Sequence, residues 1–284
     1  MKRLSLMLVT SLLMFACGGA GTKPVANESS AAAAPKVGDT VVYKFSKQGY
    51  VEGKVEKIEG SRYEIKYGTS TNKVESIDVH ALPKAGEKLN VQAGDVVVAR
   101  VRDSYWAGSI VKSVSPDVIE VEVIENGNAM SVPHEKAIKV SPASAAEFKK
   151  YASEVGFLKD ARAKHPQAPA GYKPKAGERV VAEWTANAWW PGEVISVSGQ
   201  KVKMKWFASF PESELPLEKI MPYPLQGSAI SLPKQGEFVL VKPADDRSQW
   251  PYAQVTGVSG QTADVKLADS KTRSIKSDEY IALN

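Results

Sequence analysis

The sequence predicts an all-β protein: four small antiparallel barrels in tandem, with one helix inserted between the second and the third. Three observations predict it. A Gly-acid pair recurs at Gly38-Asp39, Gly94-Asp95, Gly177-Glu178 and Gly236-Glu237, and each pair opens a stretch of short apolar strands that alternate with polar residues. The spacings of 56, 83 and 59 residues agree once one insertion before the third copy is set aside. Repetition at such a period outranks any single motif in deciding architecture.

The period-2 signal is clear within each copy. The first (37–84) reads Val41, Tyr43, Phe45, then Val55 and Ile58, then Tyr63, Ile65, Tyr67, closing at Leu82-Pro83. The second (93–141) gives Val96 to Val101, Trp106-Ala107-Gly108, Ile119-Val121-Val123, Val132 and Ile138. The third (176–223) gives Val180 to Trp184, Trp190-Pro191-Gly192, Val202-Met204-Trp206, Leu215 and Ile220. The fourth (235–284) gives Phe238 to Val241, Trp250 to Ala253, Ala263-Val265-Leu267, Ile275 and Ile281. Short strands at about ten-residue spacing, broken by Gly, Ser, Asn and Pro, specify a small barrel per copy. About 50 residues is close to the least that sustains a core, so neighbouring barrels are expected to pack in pairs.

The insertion (142–165) reads as a helix. Ser141-Pro142 is one start signal and Ser144 with Glu147 a second; Phe148, Tyr151, Ala152, Val155 and Leu158 form an apolar stripe, and Lys159, Arg162 and Lys164 suit its C-terminal end before His165-Pro166. Gly156 weakens it, marking a place to bend or end. The helix is expected to dock on the barrels as a spacer. Residues 166–175, rich in Pro and Ala, read as a linker dividing the protein two barrels plus two.

At the N-terminus, Lys2 and Arg3 precede an apolar run from Leu4 to Phe15, too short to span a bilayer as a helix but suited to a secretory segment (1–16). Leu13 to Cys17 resembles a bacterial lipoprotein signal. The resemblance implies that Cys17, the single cysteine, is lipidated as the new first residue and holds the protein to a membrane, and that Gly18 after it directs the protein to the outer membrane of a bacterial cell envelope. Residues 17–36 then form the lipidated Cys and a Gly/Ala/Ser tether. The net charge of +5, to which Lys2 and Arg3 contribute two, is too small to presume a phosphate-tracking surface.

The order Gly-acid, β-run, aromatic-x-small, Val-x-x-Val, alternating strand and Pro-closed last strand resembles Tudor and Agenet domains, SH3-like five-stranded barrels that act as binding modules. The resemblance covers nearly all of 37–284 and is nearest in the third copy. There it implies that Trp184, Trp190, Trp206 and Phe210 stand where such domains gather rings around methylated Lys or Arg. Independently of the family, rings gathered at one mouth attract a desolvated cation, and Glu212 or Glu214 would supply a counter-charge. The competing reading is that these rings cap the core or bury an interface with the next barrel. The corresponding positions in the second copy are expected at Val101, Trp106 and Val123, and in the fourth at Pro243, Trp250 and Leu267, which makes both of those barrels structural or pairing units. The first carries a partial set, Phe45, Tyr50 or Val51, and Tyr67.

No catalytic motif is present, and His80, His134 and His165 lack metal-ligand spacing and read as surface or loop histidines. No enzyme activity, cofactor or metal is expected. The function expected is a membrane-anchored binding lipoprotein that takes a protein or peptide ligand at Trp184, Trp190, Trp206, Phe210 and Glu212. The alternatives are a scaffolding envelope lipoprotein and, disfavoured, weak nucleic-acid binding by Lys201, Lys203 and Lys205.

Overall fold

The computed structural model describes residues 34–224 and 232–283. The secretory run, Cys17 and all but the end of the tether lie outside the described residues. Within them, twenty strands fall into four groups of five. The first unit holds β1 to β5 (Thr40–Lys44, Gly49–Glu59, Arg62–Tyr67, Ser70–Glu75, Val79–Ala81) and the second β6 to β10 (Val96–Arg102, Tyr105–Val114, Val118–Val123, Ala129–Pro133, Ala137–Lys139). The third holds β11 to β15 (Arg179–Thr185, Ala188–Ser198, Lys201–Trp206, Ser213–Pro216, Ile220–Pro222) and the fourth β16 to β20 (Phe238–Val241, Tyr252–Ser259, Thr262–Leu267, Thr272–Ile275, Tyr280–Ala282). Every group is an antiparallel meander in the same order, fourth-third-second-first-fifth, so that the last strand returns to the first.

The recurrent Gly-acid pair has a physical explanation. Gly38, Gly94, Gly177 and Gly236 all sit at positive φ, between 81° and 94°, where a side chain would strain the backbone. Their N–H groups donate to the carbonyls of Val55, Val111, Val194 and Val255 at 2.8–2.9 Å. The following acid folds its carboxylate back onto the N–H three residues upstream, as Asp39 does to Lys36 at 2.8 Å and Glu178 to Lys175 at 2.8 Å. Each pair thus staples the entry turn onto the second strand, just before a bulge that lets that long strand bend around the core.

Each unit encloses its own apolar cluster: Val41, Tyr43 and Ile65 in the first, Val97, Val111 and Val121 in the second, Val180, Val202 and Met204 in the third, Val239, Val255 and Val265 in the fourth. Two further clusters lie between units, and they pair the barrels as small cores require. In the first pair β2 and β7 run antiparallel across the seam, joining both units into one ten-stranded sheet, with Tyr50 opposite Trp106. Trp106 is 1% exposed and its indole N–H donates to Glu52 at 2.9 Å. In the second pair Trp250 N–H donates to the Trp189 carbonyl at 2.9 Å, and the Trp189 indole donates to the Tyr252 hydroxyl at 3.1 Å.

The helix α1 (Pro142–Arg162) begins where expected, with Ser141 as its N-cap accepting from the Ser144 N–H. Ser144 is no cap; it is a buried residue of the first turn whose hydroxyl lies 3.4 Å from Asp78. The apolar stripe is split between the two pairs. Ala145, Phe148, Tyr151 and Ala152 pack on the seam of the first pair, and Phe157, Leu158 and Ala161 on that of the second. The helix runs through Gly156 without ending. A methyl group at Gly156 would meet no atom within 4 Å, so Gly156→Ala is expected to stabilise the protein by about 1 kcal/mol, a rise of about 2–4 °C in Tm; unchanged or lowered Tm in a thermal melt would contradict that.

Residues 166–175 are held more firmly than a free linker. Pro166 is buried and forms a β-bridge with Leu283, Ala168 joins the second seam, and Tyr172 lies on the third unit's core with its hydroxyl donating to Glu178 at 2.8 Å.

Candidate functional site

The four aromatic residues of the third unit do come together. Trp184 occupies the bulge at the end of β11, between Glu183 and Thr185. On β12, Trp190 pairs with Ala182, and Gly192 pairs with Trp206 at the end of β13. Gly192 is required for this approach, since a Cβ there would lie 2.7 Å from the Lys205 carbonyl. Phe210 enters from the β13–β14 loop, held by a tight turn in which its N–H donates to the Ala208 carbonyl at 2.8 Å.

Phe210 is the centre of the cluster. Its ring stacks on Trp184 with centroids 3.9 Å apart and planes within 6°. It meets Trp190 edge-on at 4.8 Å and Trp206 at 6.4 Å. Trp184 is the outermost ring, 36% exposed, and Trp206 the innermost, 4% exposed with its indole donating to Ser213 at 3.1 Å. Trp190 Nε1 is buried with no hydrogen-bond partner among the described residues, an arrangement that costs on the order of 1–3 kcal/mol. A 3.9 Å stack leaves no gap for a methylammonium group, so Phe210 fills the space that the other three rings surround.

Glu212 and Glu214 are not aimed into this cluster as counter-charges. They pair with Lys203 at 2.9 Å and Lys201 at 2.7 Å. Those pairs also neutralise two of the three lysines on the outer face of β13, which removes most of the basic row that nucleic-acid binding would need.

The interface reading applies to a different residue. Trp190, Phe210 and Trp206 pack with the third unit's own core, whereas the seam with the fourth unit is made by Trp189, 4% exposed. Neighbouring residues on a strand face opposite ways, so Trp189 and Trp190 serve different surfaces. Strand register corrects the sequence equivalences accordingly. Trp106, pairing with Arg100, aligns with Trp189, and Trp250 enters the second seam against it, while the positions matching Trp190 are Val51, Ala107 and Pro251. Tyr50 is likewise fully buried in the first seam; only Phe45 and Tyr67 of that unit's partial set reach the surface, 54% and 39% exposed with centroids 5.7 Å apart.

Two histidines are structural, not superficial. His134 is buried, accepting from the Leu89 N–H at 3.1 Å through Nδ1 and contacting the Ser115 carbonyl at 2.9 Å through Nε2. His80 packs beside Tyr50, and burial pushes its pKa below the ordinary histidine value against the pull of Asp78. Among the described residues no three His, Cys, Asp or Glu side chains are grouped to hold a metal.

No family model and no curated protein matches the sequence. Among solved structures, the chain is similar to AGD34 of Arabidopsis thaliana AGDP1, at 12% identity over 37% of this chain and 80% of that one, with a TM-score of 0.28. It is similar to extended Tudor domain TD3 of mouse TDRD1, in complex with a MILI peptide containing dimethylarginine 45, at 14% identity over 63% and 85%, TM-score 0.20. The four MBT repeats of Drosophila melanogaster Sfmbt, in complex with the peptide RHR(me)KVLR, match at 9% identity over 87% and 88%, TM-score 0.17. Likeness at this level says nothing of what this chain binds.

Proposed function

We propose that this protein is a non-catalytic, membrane-tethered binding protein whose third unit takes a cationic side chain of a peptide, a methylated ammonium foremost, at Trp184, Trp190 and Trp206. The observation that carries this reading is the gathering of three indoles around one ring in a cluster to which, among the described residues, no other barrel contributes. Three π-faces at one partly desolvated mouth attract a soft cation. Phe210 lies where that cation would sit, so binding requires the β13–β14 loop to carry it outward. Apparent affinity is then the intrinsic affinity multiplied by the fraction of time the loop is open.

A trimethyllysine peptide followed by tryptophan fluorescence tests this. Binding is expected on the order of tens to hundreds of micromolar. Trp184→Ala should abolish it at little cost to stability, because Trp184 is the exposed ring. Equal binding of the unmethylated peptide, or full binding by Trp184→Ala, would overturn the reading. The tether rests on the run ending at Cys17; Cys17→Ser is expected to abolish lipid labelling and release the protein from membranes, and retained labelling would rule the anchor out.

A further inference from the structure

Repetition of one unit makes the four barrel mouths directly comparable, and the second differs from the third in a way that points to a separate ligand. Val101 occupies the same bulge in β6 that Trp184 occupies in β11. Ala107 stands at the position of Trp190, and Val123, paired with Ser109, at that of Trp206. Each tryptophan of the third mouth is thus replaced by an aliphatic side chain, and the β8–β9 turn carries no aromatic residue to stand in place of Phe210. The result is an open cavity of about 520 Å³, lined on its apolar side by Val101, Tyr105 and Met130 over the buried Ala107 and Val123. That volume falls within the range of small-molecule sites.

Two unpaired charges of opposite sign line the same cavity. The Arg102 guanidinium lies over the Tyr105 ring at 5.2 Å and makes no side-chain hydrogen bond or ion pair among the described residues. Glu125, on the turn after β8, forms no ion pair among the described residues, with Arg102 or with Lys159 and Arg162 of α1, which share a neighbouring cavity with it. Asn126 beside it spends its side-chain oxygen on the Asn128 N–H at 2.9 Å, which leaves its amide donors for a guest. Nothing here offers a π-cage to an isolated cation. The chemistry is an aliphatic floor with a guanidinium on one side and a carboxylate on the other.

We infer that the mouth of the second unit binds a short zwitterionic peptide with small aliphatic side chains, its terminal carboxylate on Arg102, its ammonium on Glu125 and its side chains on Val101 and Met130. Arg suits the carboxylate because its planar fork donates two parallel hydrogen bonds. The site is independent of the ring cluster in the third unit and of what that cluster takes.

The test is a titration of the full folded chain, labelled at methionine methyls, with the dipeptide Ala-Val in three forms: both ends free, carboxyl-amidated and N-acetylated. The free dipeptide is expected to shift the Met130 methyl saturably. Amidation should weaken binding about tenfold, the effect of losing a charge-assisted pair, and acetylation several-fold. In Arg102→Gln the free and amidated forms should bind alike, and in Glu125→Gln the free and acetylated forms. Trp184→Ala should change none of this. The assignment is overturned if the Met130 methyl does not move at several millimolar dipeptide, if capping either end makes no difference to the native protein, or if the capping effects persist unchanged in both variants.

Discussion

Trp106→Ala is expected to cost about 3–5 kcal/mol, the usual range for truncating a fully buried tryptophan. Trp106 is 1% exposed and sits at the centre of the seam that turns two five-stranded units into one sheet. Its removal opens a cavity among Tyr50, Val98, Ile124 and Phe148 and leaves Glu52, accepting from the indole at 2.9 Å, without that donor. Because each unit alone is near the lower size limit for a stable core, both halves of the pair should unfold together. Urea unfolding followed by far-ultraviolet dichroism checks this, and a loss below about 1 kcal/mol would show that the seam is incidental to the fold.

The second large effect concerns the contact that docks α1. Phe148 is 3% exposed, 6.1 Å from Tyr50, and its ring covers Gly108 so closely that a Cβ at Gly108 would lie 2.1 Å from it. Phe148→Ala is expected to cost about 3–5 kcal/mol, and Gly108→Ala about 1–3 kcal/mol because the ring must move. The two should not add. Once Phe148 is alanine the three atoms nearest a Gly108 Cβ are gone, and Gly108→Ala should then cost less than it does beside the ring, a coupling that a double-mutant cycle measures directly. Strict additivity would mean that the ring does not rest on Gly108.

Much of this architecture is legible in the sequence because its signals are local. A glycine at positive φ followed by an acid that returns to the backbone three residues upstream is a complete turn within five residues, and it recurs in each copy. Alternation specified the strands and Ser141-Pro142 the helix start for the same reason. Legibility ends where partners are distant. A shift of one residue moves a side chain to the other face of a strand, so Trp189 and Trp190 exchange roles, seam and mouth, on information that only pairing with Ala182 and Glu183 supplies. Pro166 looks like linker until Leu283, more than a hundred residues away, bridges to it. Phe210 reads as a wall of a cage by position, and only the fold of its loop shows that it lies at the centre, stacked on Trp184.

That last difference offers the most direct test of the functional account. If Phe210 fills the space a cation takes, Phe210→Ala should bind the trimethyllysine peptide more tightly than the native protein, by the factor that loop closure withholds. A crystal of that variant with the peptide should place the ammonium between Trp184 and Trp190. If Phe210→Ala binds more weakly, or the peptide is found away from Trp184 and Trp190, the ring cluster is a cap on the third core and not a ligand site.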